Sequence, residues 1–422
     1  MTDLIAELQW RGLISQVSDL DGLGAHLASG SRTLYCGFDP TADSLHIGSM
    51  VPLLALRRFQ MHGHRPILLL GGATGLIGDP SFRADERSLN DREMVAGWVD
   101  ALRSQVEPFL DFAGNSAAVI ENNLEWTENM DVITFLRDIG KHFSVNAMVQ
   151  RESVRARLDR EDQGITFTEF SYMLLQGMDY LELAKRHECS LQIGGSDQWG
   201  NILSGLDLVR RHLGREAYAL TLPLVTKADG SKFGKTASGT IWLDAAKTSP
   251  YTFYQFWLNA ADADTGNYLR YFTFLNQAEI EGLLDDLQAH PEQRNAQRKL
   301  AEEVTALVHG DDALASAQRI SAALFGGGVS GLQQSDLEQL QLDGLDSSTV
   351  GQGEGLLSAM VAGGVAKSTG EARKLVQGGG VRLNDNVVED ARLALDFATA
   401  LFGKYFVLRR GKKVYHLLVK AA

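Results

Sequence analysis

The stretch from Tyr35 to Ser49, YCGFDPTADSLHIGS, carries the first side chains suited to binding a nucleotide. His46 and Ser49 are three residues apart, so on the first turn of a helix their imidazole and hydroxyl face the same side. Both can donate to an anion, and the free amide groups of a helix N-terminus attract phosphate. Gly48 leaves room for a base or ribose. In isolation, a capping role for His46 and a close helix contact at Gly48 would explain the same residues.

A second candidate for phosphate chemistry is KFGKT at residues 232–236. Lys227, Asp229 and Gly230 precede it, and this composition predicts a loop. Lys232 and Lys235 can neutralise charge that develops on a departing pyrophosphate. Without further context, a lysine pair in a loop is equally well explained as solvated surface.

A third set lies on a predicted helix near Thr168 to Leu183, where Tyr172, Gln176 and Asp179 follow at i, i+4 and i+7. This spacing places a phenol, an amide and a carboxylate on one face. Buried polar groups need partners, so a buried face would favour a polar ligand such as a phenolic amino acid. On an exposed face the same triplet would have no function.

The elements around these residues predict an α/β fold. Apolar strands alternate with helices from about residue 47 and through Trp98, and the strands are predicted at 34–38, 65–71, 117–122, 189–194 and 218–224. Such alternation indicates a Rossmann-like parallel sheet, which binds ligands at the carboxyl ends of its strands. The polar residues of YCGFDPT and QIGGSDQ lie at such ends. Residues 1–33 are predicted to form one or two helices beside this domain.

Length and composition limit the class of protein. A chain of 422 residues can form two or three domains, and the net charge of −13 argues against a protein that coats nucleic acid everywhere. Residues 403–422 are the exception, with six Lys or Arg and no acidic residue. Two cysteines are too few for a disulfide framework. No long apolar run or signal peptide is evident, which predicts a cytoplasmic protein without a membrane segment.

The pattern predicts a catalytic domain at 1–225 with an insertion around 125–165, followed by the loop region 226–248. Acid-rich helices indicate an α-helical domain at 249–325. A segment rich in Gly, Ser and Gln at 326–353 predicts a flexible linker. Residues 354–422 then predict a small α+β domain with a basic end.

Together the first two segments resemble the HIGH and KMSKS signatures of class I aminoacyl-tRNA synthetases, in the expected order and about 185 residues apart. The likeness extends to GGATGLIGDPS, DQGITFTEFSYMLLQGMD and QIGGSDQWGN, and over essentially the whole chain it is to bacterial tyrosyl-tRNA synthetases. The resemblance implies a ligase that activates L-tyrosine with ATP, releases pyrophosphate and transfers the tyrosyl group to the 3' end of tRNA(Tyr). It also implies a homodimer, Mg2+ accompanying the nucleotide, no metal ligands from the protein and no prosthetic group.

The same resemblance implies a role for each candidate residue. Asp79 would bind the substrate's ammonium, while Asp179, opposite Tyr35, would accept from the phenolic hydroxyl. The full set implied for tyrosine is Tyr35, Asp79, Tyr172, Gln176, Asp179 and Gln198. The set implied for ATP is Gly37, Asp39, His46, Gly48, Gly195, Asp197 and Lys235. The set implied for catalysis is Thr41, His46, Ser49, Arg83, Arg87, Lys232 and Lys235.

The C-terminal residues resemble an S4-type RNA-binding module, and the helical domain resembles one that recognises the anticodon arm. The implied tRNA contacts are Arg373, Lys374, Arg382, Arg409, Arg410, Lys412 and Lys413. Contacts to phosphate would give affinity more than sequence choice. The insertion at 125–165 would supply the dimer contact.

The sequence departs from the family pattern at two places, and four alternative interpretations remain open. Ser49 replaces the His or Asn that usually ends the first signature, and KFGKT differs from KMSKS at three positions. For Arg83 and Arg87, solvated surface is an open alternative. A tryptophanyl enzyme shares both signatures but would lack the S4-like domain; an RNA-binding scaffold without catalysis would not need His46 or Asp179; a simpler nucleotidyl transferase would not need the RNA-directed half.

Overall fold

The computed structural model describes residues 3–79, 89–151, 154–155, 158, 165–230, 233–236 and 239–421. The chain divides into two compact units, one formed by Met1–Leu243 with Ala263–Leu284 and the other by Asp244–Asp262 with Asp285–Ala422. No helix among these residues is both long and apolar enough to cross a membrane.

The first unit is organised by a sheet in which the described residues form six strands. These are β1 (Gln16–Val17), β2 (Thr33–Phe38), β3 (Arg65–Leu70), β4 (Val119–Asn122), β5 (Cys189–Gly195) and β6 (Tyr218–Leu222). Their order is β1-β6-β5-β2-β3-β4, and β2 to β6 run parallel. The predicted parallel sheet is therefore confirmed. Its inner strands are buried on both faces because helices cover each side.

The N-terminal segment differs from the prediction of helices alone. Gln16 and Val17 pair antiparallel with β6, and the amide groups of Ser15 and Ser18 donate to Thr221 and Ala219. A strand of two residues is too short to show an alternating pattern in the sequence. It forms because the edge of β6 is open for pairing.

Helices flank this sheet and supply the candidate site. They are α1 (Leu4–Trp10), α2 (Leu20–Ala28), α3 (Met50–Met61), α4 (Thr74–Ile77), α5 (Arg92–Val106), α6 (Leu124–Thr127), α7 (Val132–Thr134), α8 (Val145–Val149), α9 (Phe167–His187) and α10 (Trp199–Leu213). The predicted helix near Thr168 to Leu183 is α9, capped by the Thr166 side chain, which accepts from the Glu169 amide. It ends at Glu188, whose φ of 54° breaks the helix.

The chain then passes between units. After the short hairpin β7 (Lys235–Thr236) and β8 (Gly239–Thr240), α11 (Pro250–Leu258) lies in the second unit. Most of α12 (Asp262–Phe272) belongs to the first unit, and α13 (Gln277–Ala289) leads back to the second.

The second unit combines a helical part with a second sheet. Helix α11 packs with α14 (Asn295–His309) and α15 (Asp311–Ala322) through buried residues such as Trp257, Leu300 and Ile320. The sheet order is β11-β10-β12-β13-β9, with α17 (Leu356–Ala362) and α18 (Thr369–Gln377) over its core. Its strands are β9 (Ser347–Val350), β10 (Val381–Leu383), β11 (Asn386–Val387), β12 (Tyr405–Arg410) and β13 (Val414–Lys420).

Residues 326–353 do not form the predicted flexible linker. They contain α16 (Gln334–Gln339) and the edge strand β9, which pairs parallel with β13. Asp336 is fully buried and forms an ion pair with Arg319, with Nε to Oδ2 at 2.7 Å. The segment has few apolar residues, but Leu337 and Leu340 are fully buried, so composition underestimated its order. The C-terminal sheet consequently begins before residue 354.

Candidate active site

A cavity of about 610 Å3 lies at the carboxyl ends of β2 and β5, two neighbouring strands of the first sheet. The chain leaves these strands in opposite directions across the sheet, which is where parallel α/β sheets bind ligands. The predicted residues that line the cavity are Tyr35, Gly37, Asp39, Thr41, His46, Gly48, Ser49, Asp79, Tyr172, Gln176, Asp179, Gly195, Asp197 and Gln198. The structure thus brings four separate stretches of sequence to one cavity.

His46 opens the first helical turn and has two functions available at once. It is the N-cap of the turn Ile47–Ser49, and its Nδ1 accepts from the Gly48 amide at 3.0 Å. An accepting Nδ1 carries no proton, so the neutral ring holds its proton on Nε2, where it can be donated. The capping role and a phosphate-binding role are therefore compatible.

Gly48 is explained by the imidazole. A Cβ at this position would lie 2.8 Å from Cε1 of His46. The glycine makes room for the ring that caps the turn, in addition to any room that it leaves for a ligand. Ser49 follows with its amide bonded to the His46 carbonyl at 2.9 Å.

Asp179 is a buried carboxylate at the cavity, with a side chain held from two directions. Its Oδ2 accepts from Nδ2 of Asn123 at 3.0 Å and its Oδ1 from Nε1 of Trp126 at 2.9 Å. Burial raises the pKa of Asp179 to about 7, and the two hydrogen bonds oppose that rise. The residue therefore changes charge near neutral pH.

Three other polar atoms at the cavity are buried without a hydrogen-bond partner among the described residues. They are Oη of Tyr35, Oε1 of Gln176 and Oε1 of Gln192. Burial raises the pKa of Tyr35 well above its usual value, and the nearby Asp179 adds to the effect, so the hydroxyl remains protonated. Unpaired buried polar atoms are costly in a folded protein, and a polar ligand would pair them.

Asp39 and Tyr172 contact each other directly. The Tyr172 hydroxyl donates to Oδ2 of Asp39 at 2.7 Å, and Oγ1 of Thr74 donates to Oδ1 at 2.6 Å. Asn123 donates to the same Thr74 hydroxyl at 3.0 Å. A continuous network therefore runs from Asp39 through Thr74 and Asn123 to Asp179, and it fixes the wall against which a ligand would bind.

Gln198 joins two carboxylates from different parts of the chain. Its Nε2 donates to Oδ2 of Asp79 at 2.6 Å and to Oδ2 of Asp197 at 2.9 Å. Burial raises the pKa of Asp197. With Asp39 and Asp179, this part of the cavity is rich in carboxylates, which suits an ammonium group and disfavours an unneutralised phosphate.

The second signature lies against the first. Gly234 of KFGKT is buried with a φ of 79°, and a Cβ there would lie 3.1 Å from Cγ1 of Ile47. The Ile241 amide donates to the Gly234 carbonyl, and the Ile241 carbonyl accepts from the Ile47 amide. Phe233 packs on Phe272 of α12, with ring centroids 5.4 Å apart. Two predicted charge-stabilising segments are thereby held together.

The remaining predicted residues fall in two groups. Lys235 lies in β7, paired with Thr240. Arg83, Arg87 and Lys232 lie outside the residues that the structure describes.

The predicted tRNA-binding residues all lie in the second unit. Arg373, Lys374, Lys412 and Lys413 are exposed. Arg410 donates to the Val365 carbonyl at 2.6 Å and to Glu371 at 3.1 Å, and Arg382 donates to the Asp385 carbonyl at 2.8 Å. These two arginines therefore have structural partners, so the exposed lysines are better placed for a phosphate.

Sequence analysis missed several residues of the cavity. Thr74, Asn123 and Gln192 line it, and Trp126 holds Asp179 from behind. Asn123 directly follows β4, so the rule that placed other candidates at strand ends could have identified it. Trp126 gave no such signal, because an isolated Trp is more often part of a core.

Comparisons with known proteins agree with this geometry. Residues 28–326 match the family described as "tRNA synthetases class I (W and Y)", and residues 336–418 match the "Tyrosine--tRNA ligase SYY-like C-terminal domain". A tyrosine–tRNA ligase of Laribacter hongkongensis is 56% identical over 99% of this chain and 98% of its own. One from Chromobacterium violaceum is also 56% identical, over 99% of each chain.

Solved structures of the same family are also similar to this chain, at lower sequence identity. A C-terminally truncated mitochondrial tyrosyl-tRNA synthetase of Aspergillus nidulans has a TM-score of 0.70 and 30% identity, covering 77% of this chain and 95% of that chain. A tryptophanyl-tRNA synthetase of Plasmodium falciparum has a TM-score of 0.53 and 14% identity, covering 79% and 87%. The second likeness shows a shared fold alone.

Proposed function

The chain belongs to the class I tRNA synthetase family of the W and Y type, and on that premise we propose that it is a tyrosine–tRNA ligase. One observation supports tyrosine in particular: a carboxylate, Asp179, and an unpaired phenol, Tyr35, at one buried place in the cavity. A phenolic hydroxyl can donate to the first and accept from the second. An indole N–H donates only, so tryptophan would leave the Tyr35 hydroxyl unpaired.

The other cavity residues suit the two ends of an aminoacyl-adenylate. Asp79 binds the ammonium of tyrosine, and Tyr172 and Gln176 position the amino-acid end. Gln198 donates to the substrate carboxylate in place of one of its two hydrogen bonds to Asp79 and Asp197. Asp197 accepts from a ribose hydroxyl. Gly37, Asp39, Gly48 and Gly195, which line the cavity, would contact the nucleotide.

The reaction needs positioning and charge stabilisation rather than a nucleophile from the enzyme. A carboxylate oxygen of tyrosine attacks the α-phosphorus of ATP, the bond to the bridging oxygen breaks, and pyrophosphate leaves. His46 donates its Nε2 proton in a hydrogen bond to a phosphate oxygen, together with Thr41, and Ser49 donates towards the ribose. Lys232, Lys235, Arg83 and Arg87 neutralise the departing pyrophosphate.

In the second half-reaction a terminal ribose hydroxyl of the tRNA attacks the tyrosyl carbonyl, and AMP leaves with the electron pair of the broken mixed anhydride. Mg2+ would neutralise charge on the phosphates. Phosphate oxygens and water would supply its ligands.

The exposed basic residues of the second unit serve the tRNA. Lys412 and Lys413 occupy the turn between β12 and β13, and Arg373 and Lys374 lie exposed on α18. Contacts of this kind release counterions, so affinity for tRNA falls as salt rises. We propose that the protein acts in the cytoplasm, where ribosomes use the charged tRNA.

Charging of tRNA is the direct test of this proposal. Purified protein is incubated with labelled tyrosine, ATP and tRNA from a bacterium, and acid-precipitable label is measured. The proposal predicts charging that needs ATP and saturates at the level of tRNA(Tyr). Absence of charging with tRNA that a known tyrosine enzyme charges in parallel would contradict it.

Replacing Ser49 by histidine is expected to leave adenylate formation unchanged or faster. Ser49 lines the cavity and its side chain makes no capping hydrogen bond, so the helix start does not depend on it. An imidazole is a longer donor and reaches further towards the ribose. The measurement is the single-turnover rate of adenylate formation in Ser49→His against wild type. A loss of more than about tenfold would show that Ser49 has a role beyond donation.

We also propose that the chain forms a homodimer through the segment around α7 and α8. Val132 and Ile133 on α7 and Val145 on α8 expose between 61% and 70% of their surface. Several exposed apolar side chains in one short stretch of chain favour an interface between protein chains over solvated surface.

Replacing Ile133 by lysine is expected to weaken dimerisation about a hundredfold or more, because a charge would be buried in place of an apolar side chain. Sedimentation equilibrium over a range of concentrations measures the effect. Met61→Lys is the matched control, since Met61 is 62% exposed at the end of α3. An Ile133→Lys protein that dimerises like Met61→Lys would place the interface elsewhere.

A further inference from the structure

Arg186 lies over the ring of Trp126, the residue whose indole donates to Asp179. Its Cζ is 5.0 Å from the ring centroid, a distance typical of a cation–π contact. The arginine side chain is 40% exposed, whereas Trp126 is only 6% exposed. Oε2 of Glu182, one turn earlier on α9, lies 3.7 Å from Nε of Arg186, and Oε2 of Glu125 lies 4.0 Å from Nη1 of Arg186. These carboxylates hold the guanidinium near the indole.

The other end of the same indole reaches Asp179. Its Nε1 donates to Oδ1 at 2.9 Å, inside the protein. A cation above an aromatic face attracts the electrons of the ring. The N–H at its edge then becomes a stronger donor, and a stronger donor stabilises the charged form of its acceptor.

We propose that Arg186 is a positioning residue that strengthens the hydrogen bond from Trp126 to Asp179 and so keeps this carboxylate charged when the substrate's phenol arrives. The importance of that charge for tyrosine rests on the proposed function. The link from Arg186 through the indole to Asp179 does not, because it concerns the ligand-free protein.

The other groups that face Asp179 show why such help matters. Asp39 across the cavity and Glu182 on the same helix both disfavour its charge. Asn123 donates to it, as Trp126 does. The phenols of Tyr35 and Tyr172 also lie near, and that of Tyr172 donates to Asp39. Burial also disfavours the charged form of Asp179, so its charge at neutral pH depends on the hydrogen bonds from Asn123 and Trp126.

The test follows the indole N–H directly. The 1H–15N resonance of Trp126 Nε1, assigned with Trp126→Phe, is recorded from pH 5 to pH 9 without substrate. It reports the titration of Asp179. In Arg186→Gln the midpoint is expected to rise by about half a pH unit and the proton to move upfield, as for a weaker hydrogen bond. Arg186→Lys retains a cation, so its midpoint and proton chemical shift are expected to lie nearer those of wild type.

Lys185→Gln is the matched control. Lys185 precedes Arg186, is exposed, and pairs with the same Glu182 at 2.7 Å, but the described contacts do not place it over the indole. It is expected to leave midpoint and chemical shift unchanged. An unchanged midpoint in Arg186→Gln, or an equal shift in Lys185→Gln, would overturn the proposal, the latter by showing a general effect of surface charge.

Tyrosine binding gives a second readout, since equilibrium dialysis needs no ATP. At pH 7, Arg186→Gln is expected to weaken binding about two- to threefold, the change that half a pH unit represents. In a protein that already carries Trp126→Phe, the Arg186→Gln substitution should not weaken tyrosine binding further. An undiminished effect in that background would mean that Arg186 acts on Asp179 through space, contrary to the proposal. Failure of wild type to bind tyrosine would contradict the proposed function instead, and the resonance of Trp126 would still decide the role of Arg186.

Discussion

Replacing Asp179 by alanine is expected to lower kcat/KM for tyrosine in adenylate formation about a hundredfold or more. The substitution removes the acceptor for the phenolic hydroxyl and leaves the Asn123 and Trp126 donors unpaired as well. Hydrogen bonds to a charged group contribute about 1.5–3 kcal/mol, and an unpaired buried partner adds to the loss. Preference for tyrosine over phenylalanine should largely disappear, because both would then bind the same apolar space.

Asp179→Asn separates charge from shape. It retains one acceptor but cannot ionise, so tyrosine activation should become nearly independent of pH between 6 and 8. In wild type, activation should fall below pH 7 as the carboxyl gains its proton, since the pKa of Asp179 is raised from 3.8 to about 7 by burial.

Stability gives an independent check with the opposite sign. A raised carboxyl pKa means that the charged form disfavours the folded state, so this cost is absent below about pH 4 and complete above about pH 7. Unfolding of ligand-free wild type should therefore become easier from pH 5 to pH 8 relative to Asp179→Asn. The assigned role would be contradicted if wild type and Asp179→Asn showed the same pH profile of activity and the same pH profile of stability.

Replacing His46 by alanine is expected to lower the rate of adenylate formation by about a hundredfold to a thousandfold, with little change in tyrosine affinity. His46 lines the cavity and has Nε2 left to donate, because its Nδ1 accepts from the Gly48 amide. A donor to charge that develops in a transition state has effects of this size. Tyrosine binds through other residues, so its dissociation constant should stay within about twofold. Stopped-flow fluorescence with saturating ATP separates the two quantities.

His46→Asn is the control for the helix cap. Its Oδ1 can take the place of Nδ1 and accept from the Gly48 amide, but the short side chain has no donor at the position of Nε2. We expect His46→Asn to be as stable as wild type and to form the adenylate at a rate close to that of His46→Ala. Recovery of the rate by asparagine would show that the cap, and not the donated proton, accounts for the effect.

Residues that carry chemistry at strand ends could be found from the sequence. His46, Asp179 and Asp197 follow apolar strands or occupy a polar position on a helix face, and all three line one cavity. A parallel sheet brings its carboxyl ends together whatever their separation along the chain, which is why local patterns sufficed.

Residues that act on the cavity through another side chain could not be found in this way. Trp126 and Arg186 are 60 residues apart and meet only because α9 packs beside α6, and neither has a period or motif. The prediction of a flexible linker at 326–353 was wrong for a related reason. Its few leucines and Asp336 find partners in neighbouring helices and strands, and composition alone does not contain that information.

The most direct measurement is exchange of labelled pyrophosphate into ATP without tRNA, with tyrosine, phenylalanine and tryptophan tested side by side. The account predicts exchange with tyrosine, little with the other two, and loss of the tyrosine-dependent rate in Asp179→Ala. Exchange with tryptophan instead would contradict the pairing of Tyr35 and Asp179 with a phenolic hydroxyl. Absence of exchange with all three would contradict the catalytic account and leave RNA binding as the function to pursue.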